Sequence, residues 1–278
     1  MFRGLYTATS GMMANNRNQQ ILTNNLSNAN TPGFKQDQTV LRSFPAQLIK
    51  AMGTGNNSAT QNRIGTLNTG VYAQEAIPSF IQGALKDTGN RTDISILEDS
   101  LPINPVTQQK GTIVFAVQID NNEVRYTRNG QFTVNQDGFL TTSEGYNVLN
   151  QNLQPIQVNS SEFTVEDNGR VILNDGSNTN RLWLGYTEEP AQLIKEGHGL
   201  MRWGGNPAET PQFIDEVGLL NNTGSFVKQG FIEQSNVDLT QTMTQMMNTF
   251  RAFESNQKVI QAYDQSMEKA VNEIGRIY

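Results

Sequence analysis

The chain is short of the residues from which most enzyme active sites are built. Its 278 residues include no cysteine and one histidine, His198. Without cysteine there are no disulfides and no thiolate metal sites. A single histidine forms neither a metal set nor a nucleophile–base pair, and no Gly-x-x-x-x-Gly-Lys phosphate loop occurs. The sequence therefore predicts no catalytic residue, no metal site and no cofactor, and we do not expect an enzyme.

The charge balance and the short apolar runs also limit the partners. The net charge is −6, and no basic patch interrupts the acidic middle of the chain, which argues against nucleic acid. The longest apolar run, Ile113 to Val117, is far too short to cross a bilayer, so direct membrane insertion is not expected. The N-terminus lacks the apolar core of a cleaved secretory signal. Either the protein stays in the cytoplasm, or it leaves by a route that reads no such signal.

Apolar residues recur in alternating steps of four and three at both ends of the chain, the spacing of helices that pack along a seam. A first helix is predicted from about Phe2 to Asn28, and a second begins near Leu239 after a capping box at Ser235–Asp238 or Asp238–Gln241. These seams indicate contact with each other and with copies of the same chain. An ordinary helix pair on one globular core is the alternative. The predicted interface comprises Leu5, Met12, Leu22, Leu26, Leu239, Met243, Met246, Phe250, Phe253, Ile260, Met267 and Ile274.

The middle of the chain changes to a period of two, which is typical of strands. Apolar alternation from about Thr92 to Phe226 is punctuated by Asn-Gly and Asp-Gly pairs, which favour tight hairpins. The predicted fold is α+β: the N- and C-terminal helices pair as a coiled-coil-like stalk, and the central domain is all-β with short strands. The predicted divisions are an N-terminal helix and turn over 1–35, an extended linker over 36–90, a β domain over 91–228 and a C-terminal helix over 229–278.

The first helix is predicted to stop at a turn formed by Asn30, Thr31, Pro32 and Gly33. Proline disfavours helix at the residue before it, and Pro32-Gly33 suits the centre of a type II turn. Gly33 is therefore expected at positive φ. Because the turn is predicted to lie outside the β domain, Gly33→Val is expected to leave the melting of that domain unchanged.

Four stretches resemble the bacterial flagellar rod and hook proteins. Leu22 to Lys35 is similar to their N-terminal signature, and Tyr126 to Phe132 with Asp137 to Leu140 resembles their β-domain motif. Glu233 to Leu239 looks like the entry to their C-terminal helix, and Arg251 to Ile260 like its centre. The order of the four motifs along the chain matches as well.

The resemblance implies a structural subunit of the flagellar rod in the basal body. Such a subunit self-assembles through its terminal helices into a helical tube that transmits torque. Implied partners are copies of itself, other rod and hook subunits and the flagellar type III export apparatus, which would carry the chain out without a cleaved signal peptide. In this context Asn24, Asn25 and Asn28 are expected to hydrogen-bond across subunits.

An alternative function is a secreted β-domain protein that binds or cleaves glycans. Trp183, Tyr186 and Trp203 could line a sugar groove, although packing inside the β domain explains them more simply. Neighbouring carboxylates such as Glu188 and Glu189 point to opposite faces of a strand and seldom form an acid–base pair. A phage tail component shares the assembly logic but lacks the four motifs.

Overall fold

The computed structural model describes residues 2–50, 63–98, 101–103, 110–119, 123–174, 176, 178–215 and 225–274. Helix α1 covers Phe2–Ser27 and helix α2 covers Leu239–Lys269, followed by a π turn at Ala270–Ile274. The strands are β1 (Asp37–Ser43), β2 (Gln47–Lys50), β3 (Arg63–Leu67), β4 (Val71–Pro78), β5 (Leu85–Asp87), β6 (Ile94–Ile96), β7 (Thr112–Gln118), β8 (Val124–Thr127), β9 (Phe132–Val134), β10 (Leu140–Thr142), β11 (Asn147–Val148), β12 (Phe163–Val165), β13 (Arg170–Leu173), β14 (Asn178–Arg181), β15 (Leu184–Thr187), β16 (Leu193–Gly197), β17 (Leu200–Trp203), β18 (Gln212–Phe213), β19 (Val227–Gln229) and β20 (Phe231–Glu233). The α+β class predicted from sequence is confirmed, with the terminal helices packed together.

The chain divides into two compact units, each built from separate stretches. The helical unit takes the described parts of Met1–Ser27, Asp37–Ile77 and Asp238–Tyr278, and the β unit takes those of Asn28–Gln36 and Pro78–Val237. Residues 36–90, predicted as an extended linker, carry strands β1 to β5. The predicted domain borders after residues 35, 90 and 228 stay predictions.

The helical unit contains α1, α2 and two strand pairs. Strand β1 is hydrogen-bonded to β4, and β2 pairs antiparallel with β3. Helix α2 begins where its capping residue was expected: the Asp238 carboxylate accepts a hydrogen bond from the Gln241 backbone N–H at 3.0 Å. This cap satisfies one of the backbone donors that every helix start leaves open.

The β unit is organised around strand β7, which is buried on both faces. Ile113, Phe115 and Val117 enter one apolar cluster, while Val114 and Ala116 enter a second cluster with Trp183. A strand covered on both faces reads as a continuous apolar run, which explains the run from 113 to 117. Within the described ranges the main sheet has the order β16-β17-β8-β7-β11-β10-β9, and β15 joins β7 to β18. Smaller sheets have the orders β12-β13-β14, β19-β6 and β20-β5.

Gly33 adopts positive φ, as predicted, but it lies inside the β unit. Its φ is 69°, and its N–H donates to the carbonyl oxygen of Glu233 at 2.8 Å. A Cβ at this position would stand 2.5 Å from the backbone carbonyl carbon of Arg128. The expectation that Gly33→Val would spare the β unit is therefore wrong, because the turn packs against the backbone of that unit.

Replacing Gly33 should destabilise the β unit more than replacing a glycine of the same conformation in open space. Gly89 is the control, since its φ is 68° and a Cβ there would meet nothing within 4 Å. Positive φ alone costs a side chain about 1–2 kcal/mol. We expect Gly89→Ala to lose about that much and Gly33→Ala clearly more, in urea unfolding followed by tryptophan fluorescence. Equal losses would show that the contact with Arg128 constrains nothing.

Candidate functional site

The two terminal helices meet through small and polar side chains spaced seven residues apart. A Cβ on Gly4 would collide with the Tyr263 ring, and one on Gly11 would lie 3.0 Å from the Asn256 amide nitrogen. Asn18 Nδ2 donates to Thr249 Oγ1 at 3.3 Å. The residue numbers of these contacts rise along α1 while they fall along α2, so the helices are antiparallel. Glycine has no side chain and lets the two helices approach closely.

The inner face of α2 includes two buried threonines. Thr242 and Thr249 are both buried. Thr249 Oγ1 donates to the Gln245 carbonyl oxygen at 2.8 Å while it accepts from Asn18. A threonine that bonds back to the preceding turn can be buried at little cost. A pattern that counts only apolar residues assigns these positions to solvent.

The apolar seam predicted for α2 is consequently divided between two faces. Met246, Phe253, Ile260 and Met267 are half-buried on the same side as Thr242 and Thr249. Leu239, Met243 and Phe250 are exposed, and the side chain of Ile274 lies outside the described residues. On α1, Leu22 is buried, and Leu5, Met12 and Leu26 are half-buried.

We call the exposed apolar face of α2 the outer stripe; it consists of Leu239, Met243, Met247 and Phe250. These four side chains are between 42% and 58% exposed, although all are large and apolar. No charged residue occurs from position 239 to 250. On α1, Tyr6 and Met13 are exposed even further, at 69% and 68%. Such an exposed apolar face is a candidate surface for binding another molecule.

Beside the exposed part of α1, the helical unit contains an open groove of about 530 Å³. Tyr6 and Met13 line it from the helix, and Phe44 and Leu67 line it from the strand segments. Phe44 is itself 40% exposed and packs on Tyr72, with ring centroids 5.4 Å apart. The helical unit thus has a concave apolar surface as well as the convex outer stripe.

The three asparagines expected to bond across subunits differ in their surroundings. Asn25 is buried, its Nδ2 donates to the Asp37 carbonyl oxygen at 2.8 Å, and its Oδ1 accepts from the Asp37 N–H at 2.9 Å. This side chain fixes the start of β1 within the chain, so we no longer expect it to bond across subunits. Asn28 accepts from the Thr31 hydroxyl at 3.3 Å, and Asn24 is exposed. For these two the interface role stays a prediction, as it does for the turn residues Pro32 and Gly33.

A buried cluster of four charges in the β unit escaped the sequence reasoning. One carboxylate oxygen of Glu233 accepts a hydrogen bond from Lys35 Nζ at 2.7 Å, and the other accepts one from Arg128 Nε at 2.6 Å. Arg128 Nη1 also contacts Glu98 at 2.5 Å, and no side chain of the four is more than 5% exposed. We call these residues the charge cluster. Its two cations and two carboxylates balance, which is the condition under which buried charges are tolerated.

Backbone groups complete the hydrogen bonding of the charge cluster. Lys35 Nζ donates to the Ile81 carbonyl oxygen at 2.9 Å, and the Gly83 N–H donates to Glu233 at 2.8 Å. Glu98 accepts from the Thr112 hydroxyl at 2.6 Å. Among the described residues Arg128 Nη2 has no partner. The cluster therefore joins segments from both ends of the chain to strand β7.

The surroundings of the charge cluster lower the pKa values of both Lys35 and Glu233. Burial, together with the positive charge of Arg128, lowers the pKa of Lys35 to about 8, against the attraction of Glu233. Burial alone would raise the pKa of Glu233, but the charges of Arg128 and Lys35 and their hydrogen bonds lower it. Glu233 is thus held as the anion that both cations need.

A neighbouring asparagine, Asn236, clamps the segments next to the charge cluster. Its Oδ1 accepts from the Gln36 N–H at 2.7 Å, and its Nδ2 donates to the carbonyl oxygens of Ser79 and Ile81 at 2.9 and 3.0 Å. Lys35, Arg128, Glu233 and Asn236 all belong to the motif stretches singled out above. The available signal was the occurrence of Lys35, Arg128 and Glu233 in short motifs with few charged residues.

The aromatic residues proposed for a sugar groove do not form one. Trp183 and Tyr186 are buried in the β unit, and Trp183 packs on Tyr126 with ring centroids 5.7 Å apart. Trp203 is half-buried, and its indole N–H donates to the Asn206 carbonyl oxygen at 2.9 Å. Only Tyr186 and Trp203 reach an open cleft of about 370 Å³, so the predicted stacking set is not assembled.

The described part of the chain contains neither a metal-binding group of side chains nor a membrane-spanning helix. His198 is an exposed turn residue with φ of 50°, and no group of three or more histidine, aspartate or glutamate side chains is placed to hold a metal ion there. No helix among the described residues is long and apolar enough to cross a membrane.

Three family profiles match successive parts of the chain. Residues 5–35 match "Flagella basal body rod protein", and residues 110–173 match "Flagellar hook protein FlgE/F/G D1 domain". Residues 228–273 match "Flagellar basal body rod FlgEFG protein C-terminal". The first and third matches include Lys35 and Glu233, and the second includes Arg128.

Relatives match over the whole chain. The flagellar hook-basal body complex protein FlhO of Bacillus subtilis (strain 168) is 40% identical over 279 residues, covering 100% of both chains. The flagellar basal-body rod protein FlgG of Borreliella burgdorferi is 30% identical over 98% of both chains. The flagellar basal-body rod protein FlgF of Caulobacter vibrioides is 28% identical over 100% of both.

These matches define a class of structural, non-enzymatic proteins. The chain belongs to the flagellar basal-body rod family that includes FlgE, FlgF and FlgG, and it is a structural subunit of the hook–basal body rod. The resemblance inferred from the four sequence motifs is confirmed. Membership in a rod family implies assembly with other rod or hook subunits at the flagellar basal body.

The lowered pKa of Lys35 predicts a stability that rises with pH in a defined window. The folded chain releases the Lys35 proton near pH 8, whereas the unfolded chain keeps it up to about 10.5. Unfolding therefore takes up a proton between these values, and raising the pH stabilises the β unit by about 3 kcal/mol across the window. Lys35→Met should lack this rise in urea titrations at matched pH. Tyrosine ionisation is common to both proteins, so parallel pH profiles would show that Lys35 keeps its ordinary pKa.

Proposed function

We propose that the subunit self-assembles through its terminal helices into a helical tube that transmits torque, with the outer stripe of α2 packed against neighbouring subunits. The observation that carries the proposal is a row of large apolar side chains left exposed on one face of α2. Glycine, asparagine, threonine and half-buried apolar side chains form the contact inside the subunit, while Leu239, Met243, Met247 and Phe250 lie outside it.

The energy of the outer stripe suits a contact that forms only in an assembly. Burying a large apolar side chain fully yields about 1.5–3 kcal/mol, so covering the exposed half of four such side chains yields on the order of 3–6 kcal/mol. One contact of that size does not hold two dilute subunits together against the cost of association. If the outer stripe of each subunit packs against a different surface of the next subunit, the repeated contact generates an open helical polymer.

The proposed partners are copies of this chain and the rod and hook subunits adjoining them in the basal body. We also propose that the chain reaches this location through the flagellar type III export apparatus. A chain without cysteine can pass between compartments unfolded without forming disulfides. Ordering of the helix ends on contact with neighbours is part of the same proposal, since each helix has an uncovered apolar face.

Phe250→Ser tests the outer stripe. Phe250 is 48% exposed, so the variant should keep a folded helical unit and lose association. Val259→Ser is the matched control, because Val259 is 41% exposed on the opposite side of α2. We expect sedimentation velocity at rising concentration to show assembly of the wild type and the control only. In motility complementation, Phe250→Ser should fail and Val259→Ser should succeed. Normal assembly of Phe250→Ser would remove the outer stripe from the interface.

A further inference from the structure

The charge cluster connects residues that are far apart in sequence. Lys35 and Glu233 are separated by 198 positions, and Arg128 and Glu233 by 105. Gly33, two residues before Lys35, donates its N–H to the Glu233 carbonyl oxygen. The side chain and the backbone of Glu233 therefore both hold the N-terminal segment of the β unit.

The segment that carries Glu233 also supplies the partner of two short strands. Strand β20 pairs with β5 through Phe231–Asp87, Ile232–Lys86 and Glu233–Leu85, and strand β19 pairs with β6 through Val227–Ile96 and its neighbours. Phe226 and Val227 enter the apolar cluster that covers one face of β7. Two strand pairs and part of the core are thus completed by residues 225–237.

Without Glu233 the remaining charges are unbalanced. Lys35 and Arg128 would share the single carboxylate of Glu98, and Arg128 Nη2 already has no partner among the described residues. Removing one member of a buried charge pair leaves the other uncompensated, which is among the most destabilising changes in a protein. Separation of these segments, which lets water reach Lys35 and Arg128, is then favoured.

We propose that the charge cluster is a closure latch: the part of the β unit formed by β5, β6 and the Lys35 segment closes only when Glu233 docks. The groups that face one another in the latch are Lys35, Glu98, Arg128 and Glu233. Strand β8 pairs with β7 and with β17, and neither pairing includes residues 225–237. A chain that emerges from its N-terminus accordingly leaves this region open until residue 233 is available.

Hydrogen exchange of the full chain carrying Glu233→Gln tests the latch. The amides of β5 and β6 should exchange at least about 100-fold faster than in the wild type, while those of β7 and β8 keep their protection. Glu162→Gln is the control, since Glu162 is 63% exposed and lies 3.8 Å from Arg91. It should exchange like the wild type. Unchanged exchange of β5 and β6 in Glu233→Gln would overturn the proposal, and so would an equal loss of protection in β7 and β8.

A double variant separates the latch from a general folding defect. Lys35→Met combined with Glu233→Gln removes one cation and one carboxylate, so Arg128 and Glu98 remain as a balanced pair. We expect the double variant to regain at least about tenfold of the protection that Glu233→Gln loses. A further loss instead of a gain would overturn the charge argument. Both readouts use the unassembled subunit, so failure of the latch and failure of the proposed assembly are distinguishable.

Discussion

One shared carboxylate holds three distant segments of the β unit together. Glu233 binds Lys35 and Arg128 at once, in a place that water does not reach, and each of the three comes from a different motif of the family. Buried charges are costly unless paired, so the three segments hold one another in a single arrangement. The close backbone approach at Gly33 follows from the same arrangement, because it brings the N-terminal turn against Arg128.

The helical unit obeys a different constraint, which concerns the use of large side chains. Gly4, Gly11 and Asn18 let α1 approach α2 closely, while several large apolar side chains of both helices are left exposed. In a protein that functions alone, such surfaces would be a liability. We propose that in a rod subunit neighbours cover these surfaces, and that the modest gain of each contact makes assembly depend on many subunits together.

Much of this organisation could be predicted from residue patterns. The periodicities identified both helices and the β region, Pro32-Gly33 located the turn, and Asp238 marked the start of α2. The pattern places the α2 seam on a single face, because apolarity alone cannot show that Thr242 and Thr249 are buried or that Thr249 satisfies its hydroxyl within the helix. Asn25 was assigned to the surface for a similar reason, since its two bonds to Asp37 depend on how the chain returns after the turn.

The sequence by itself determined the class of fold, the family and the absence of cysteine chemistry, because these depend on local spacing and composition. Only the tertiary structure decided which helix face is inside and that Lys35, Glu98, Arg128 and Glu233 meet. Side chains up to 198 positions apart come together through backbone paths that no local period records. From the sequence alone, such a lysine or glutamate cannot be told from a solvated residue, because its burial and its partner depend on the fold.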